Sequence, residues 1–117
     1  MAFEIVDVGH ELSESSASPG DGTPTLLVRG PAAAWSLLRL EPGQGHDDSD
    51  AACVERSFLI LDGFGTALTP ERRATVSAGM LVLVSAGVAF DLRNDGAGPL
   101  VVLVATRPRI LASKESS

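Results

Sequence analysis

The 117-residue chain has room for one hydrophobic core and not for two. It is 44% hydrophobic and 21% charged, which excludes a disordered or coiled-coil segment. Its net charge of −6 opposes nucleic acid and anionic membrane surfaces as partners. The apolar residues fall in short runs broken by Gly, Pro, Asn and Asp, and no run sustains a helical period. In chain order, strands are expected at about 3–8, 25–29, 33–40, 56–62, 64–68, 73–77, 80–84, 87–93 and 99–106. Residues 11–22 and 113–117 are polar or Ser/Gly-rich and are expected to be peripheral, leaving one domain over 1–112. The segment Thr69-Pro70-Glu71-Arg72-Arg73 is expected to be a hairpin connection with its charges on a solvated tip.

The single cysteine, Cys53, allows no intrachain disulfide and is read as a small buried hydrophobe. Residues 1–7 have no basic segment followed by a long apolar stretch, so a signal peptide is not expected and a cytoplasmic location is. No apolar run, that at residues 80–84 among them, approaches the roughly 20 residues that a bilayer span needs.

Glycines and an asparagine carry a more specific signal. Gly43 and Gly63 bracket one segment, and Gly79, Gly87 and Asn94 keep fixed intervals in another. In these intervals, residues 40–108 resemble the cupin superfamily. The resemblance implies an all-β, single-domain antiparallel β-barrel, the double-stranded β-helix or jelly roll. It assigns the metal-ligand positions to Ser49, Ala51, Arg56 and Phe90, and the second motif's proline position to Ser85. Hydroxyl, methyl, guanidinium and phenyl groups do not supply the imidazole and carboxylate lone pairs a metal needs, so no metal and no other cofactor is expected at that place.

Alternation along the strands is expected to turn Arg56, Phe58 and Ile60 into the barrel from one strand, and Val88, Phe90 and Leu92 from another. Ser49 and Ala51 join them, with Asp47 on the same parity, and His46, Asp48 and Asp50 on the opposite one. The donors His46, Asp47, Asp48, Asp50, Cys53 and Glu55 are then divided between faces, and a relocated metal site among them is read as a solvated acidic edge.

A buried guanidinium must meet an anion or carbonyl groups. The first reading is therefore a metal-independent binding protein for a small molecule, with Arg56 as anion clamp and Ser49, Ala51, Phe58, Ile60, Phe90 and Leu92 around the ligand. The second is a cofactor-independent isomerase or cyclase with His46 and Glu55 as acid–base groups. The absence of tyrosine argues against the metal-free sugar epimerases of the superfamily, which pair histidine with tyrosine. The third is a filled barrel acting as a structural or dimerisation module. Leu59 and Leu61 face outward in this scheme, and a homodimer is expected, which is compatible with all three readings.

Overall fold

The computed structural model describes residues 5–10, 24–30, 33–47 and 54–107. Within them the chain forms strands β1 (Thr25–Arg29), β2 (Ala34–Leu40), β3 (Gly45–Asp47), β4 (Glu55–Asp62), β5 (Phe64–Leu68), β6 (Arg73–Ser77), β7 (Leu81–Val84), β8 (Asp91–Arg93) and β9 (Leu100–Arg107). They make a five-stranded sheet in the order β1-β2-β9-β4-β7 and a four-stranded sheet in the order β3-β8-β5-β6, antiparallel throughout. Successive strands repeatedly change sheet, the connectivity of a jelly roll.

Period-2 alternation explains the core. On β4, Arg56, Phe58 and Ile60 are buried while Glu55, Ser57 and Leu59 alternate with them. On the same face of this sheet lie Leu38 and Leu40 of β2 and Leu100, Val102 and Val104 of β9, and the other sheet contributes Leu92 of β8, with Phe90 just before it. The outward side of the five-stranded sheet remains apolar in part, with Trp35 at 42%, Leu81 at 66% and Leu83 at 62% exposure.

The turn glycines sit where their spacing places them. Gly43, Gly63, Gly79 and Gly87 have φ of 86°, 87°, 93° and 92°. At Gly63 the reason is doubled: φ is left-handed, and a Cβ would stand 2.5 Å from the Pro99 carbonyl oxygen. Asn94 is 2% exposed and ties the return from β8 to β9. Its Nδ2 donates to the carbonyls of Leu40 (2.8 Å) and Gly98 (2.9 Å), and its Oδ1 accepts the Gly96 amide at 2.8 Å.

Three expectations need correction. The strand expected at 3–8 does not form over its described residues 5–8. Residues 8–10 enter a helical turn whose His10 amide donates to Asp7 Oδ1 at 3.1 Å, a local bond that competes with extended pairing. The strand expected at 87–93 shortens to β8, because residues 85–90 are a loop. The third is the short strand β3, Gly45–Asp47, which none of the expected strands covers. The segments 11–22 and 113–117 lie outside the described residues.

Candidate functional site

Arg56 is 1% exposed at the β4 end of the core. Its cross-strand neighbours are Val84 and Thr106, so desolvation would be costly without polar partners. The backbone supplies them: Nη1 donates to the Val54 carbonyl at 2.8 Å and Nη2 to the Val88 carbonyl at 2.6 Å. Arg56 thus faces inward and Glu55 does not. The second of these bonds spans 32 residues and fastens the 85–90 loop to β4.

Beside it, the rings of Phe58 and Phe90 pack with centroids 4.8 Å apart, tilted by 35°. Phe58 is 1% and Phe90 2% exposed, and Ile60 and Leu92 are 1% and 0% exposed, so all four serve as packed interior. The donor chemistry required for a metal does not fit here. A guanidinium bonded to two carbonyls and a phenyl ring packed on another offer no lone pair to a cation.

Space exists elsewhere. Strands β6 and β7 follow one another in the chain but edge different sheets, joined by a tight turn in which the Met80 amide donates to Ser77 at 3.0 Å. From that turn the two strands run to the 69–72 hairpin and the 85–90 loop. The gap is a cleft of about 580 Å³. Its inner wall is built from small side chains, Ala67, Ala74, Val76, Val82, Val84 and Val88, with Phe90 beyond them; Met80, Leu81 and Leu83 also line it. The large core residues Leu38, Leu40 and Leu100 belong to β2 and β9, which do not border this gap. Thr69, Arg72, Thr75 and Ser85 supply the polar rim. This volume lies within the range of roughly 300–1,000 Å³ found for small-molecule pockets.

The expected acid–base pair is not brought together. His46 pairs with Leu92, which is fully buried, so the imidazole lies on the inner face of the four-stranded sheet. Asp47 is exposed on the other face, reversing the parity expected for these two residues; the register of β3 against β8 sets it. Glu55 pairs with Arg107 and lines a depression on the outer side of the five-stranded sheet with Trp35 and Leu59. A His46–Glu55 dyad therefore does not form. Nor does His46 adjoin the cleft. It sits on β3 and is not among the lining residues, the cleft wall on the same sheet beginning at Ala67 of β5, two strand spacings or about 10 Å away.

Ser49, Ala51, Asp48, Asp50 and Cys53 lie outside the described residues. Among those described, no three His, Cys, Asp or Glu side chains gather as a metal site. Of the residues expected around a ligand, Phe90 borders the cleft, while Arg56 touches it only through Val88. Sequence reasoning missed the rest of the cleft wall, though the small residues alternating at Ala67, Ala74, Val76, Val82 and Val84 carry its signal.

No protein-family model matches the sequence, and no curated protein does. Solved structures are similar over most of the chain. A Cupin 2 conserved barrel domain protein from Salinispora arenicola superposes with a TM-score of 0.73 at 14% identity, covering 99% of this chain and 98% of that one. A cupin-2 domain containing protein from Shewanella frigidimarina gives 0.68 at 14%, with 90% and 95% covered. A protein from Thermus thermophilus gives 0.72 at 23%, with 92% and 100% covered. These likenesses establish the cupin fold for the chain.

Proposed function

We propose that this cupin-fold protein binds a small apolar molecule, without a metal ion, in the cleft between β6 and β7. The carrying observation is the volume of about 580 Å³ walled by Ala and Val side chains while the interior at Arg56, Phe58 and Phe90 is filled. Arg56 serves the site by holding Val88 in its wall. Binding is favoured over proton-transfer catalysis because His46 and Glu55 lie on different sheets and faces, and over a filled module because of the cleft itself.

Titration with the neutral fluorophore N-phenyl-1-naphthylamine tests this reading. Saturable binding of one probe per chain is expected. Ala74→Trp, which puts an indole into the cleft from the edge strand, should weaken it at least about tenfold, a loss of roughly 1.4 kcal/mol, with unchanged circular dichroism. Val82→Trp plugs the opposite wall and should act alike. Probe binding indifferent to both plugs would refute the cleft as the site.

We also propose that the chain forms a homodimer through the outer face of its five-stranded sheet. Trp35, Leu81 and Leu83 are exposed there around a depression of about 410 Å³, with Glu55 and Arg107 at its rim able to answer each other across a two-fold axis. Trp35→Glu should convert a two-chain species to a single chain in sedimentation. It should leave probe binding intact, since Trp35 lines the outer depression and not the cleft. A wild-type single-chain species would dismiss this interface.

A further inference from the structure

We infer that the molecule held in this cleft is an organic monoanion, an apolar body ending in a carboxylate or similar group that meets Arg72. The inference rests on the binding reading above and adds the ligand's charge. Arg72 is the charged residue that lines the cleft, and no carboxylate shares that lining. This is an uncommon environment in a chain whose net charge is −6.

Other cations of the sheets differ. Arg39 is paired with Glu41 at 2.7 Å and Arg93 with Asp91 at 3.0 Å. Arg73 pairs with Leu68 across the hairpin, and Leu68 with Asp91, so Arg73 belongs to an outer row that carries acid. Among the described residues no carboxylate pairs with the Arg72 guanidinium. Its neighbour Glu71 is exposed and does not line the cleft.

The backbone fixes where that cation is offered. The Thr69 amide donates to the Arg72 carbonyl at 2.8 Å, and the Arg72 amide returns to the Thr69 carbonyl at 3.4 Å. The hairpin so closed places Arg72 at the end of the cleft away from the β6–β7 turn. A guanidinium there gives a carboxylate two parallel donors, and the hydroxyls of Thr69, Thr75 and Ser85 lie on the same rim. An acidic head would find no such partner on the apolar inner wall, so the ligand enters tail first.

Displacement of N-phenyl-1-naphthylamine by octanoate, octanol and octylammonium at pH 7 tests the charge. Octanoate is expected to compete about five- to tenfold better than octanol, and octylammonium worst. Arg72→Gln should erase the advantage of octanoate while leaving octanol unchanged, and Arg72→Lys should restore part of it. Equal competition by octanoate and octanol in the wild-type protein, or an advantage that survives Arg72→Gln, would overturn the inference while leaving the cleft intact. Failure of all three to displace a probe that also ignores Ala74→Trp would instead overturn the binding reading on which it rests.

Discussion

Gly65→Ala is expected to leave little folded protein. Gly65 is the second residue of β5, and a Cβ there would stand 2.1 Å from the Arg93 carbonyl oxygen and 2.9 Å from Leu100 Cδ2. The first of these is backbone of β8, which pairs with β5 through Thr66 and Arg93, so it cannot withdraw without breaking the ladder. The second belongs to a fully buried core side chain. Relief requires the two strands to separate or the core to open. Either should cost about 4 kcal/mol or more, a large part of the 5–15 kcal/mol that holds a domain this size. Urea denaturation checks it. A variant within about 1 kcal/mol of wild type would show that β5 and β8 are not packed as described.

Arg56→Ala should destabilise the fold by about 3 kcal/mol. Removing the side chain leaves the carbonyls of Val54 and Val88 without their donors inside the barrel and opens a void beside Phe58 and Phe90. Loss of a buried cation returns part of that energy, since the guanidinium's own desolvation is no longer incurred. Arg56→Met separates the contributions: it keeps most of the volume and none of the donors. It should fall between the two proteins in stability, and in both variants N-phenyl-1-naphthylamine should bind more weakly as Val88 is released from the cleft wall. A methionine variant as stable as wild type would mean that caging the carbonyls is not what the arginine does.

The contrast between these two sites shows what the sequence could reveal. β5 and β6 are read with their observed bounds because hairpin turns and alternation are local properties of the chain. Arg56 likewise follows from its parity with Phe58 and Ile60. β3 is not legible: Gly45, His46 and Asp47 show no alternation of apolar residues, and only pairing with β8 makes them a strand. The loop at 85–90 is a tertiary effect too, since a bond from Arg56, distant in sequence, holds Val88.

The cleft lies at the same limit. Its small residues are plain in the sequence, but that β6 and β7 edge different sheets is a matter of topology. For the same reason, the neighbourhood of His46 and Glu55 along the chain says nothing of the opposed surfaces they occupy. The cation proposed as an anion site, Arg72, reads in sequence as part of a solvated hairpin tip. Its place at the mouth of an apolar gap emerges only when the sheets are assembled.

The central claim is that ligand enters between β6 and β7 and not the barrel interior or the outer sheet. Backbone amide chemical shifts during titration with N-phenyl-1-naphthylamine test it most directly. The largest changes are expected at Ala67, Ala74, Val76, Val82, Val84 and Val88, with Trp35, Leu59 and Leu103 nearly still. Changes concentrated on Trp35, Leu59 and Leu103, or none at β6 and β7 at saturating probe, would contradict it.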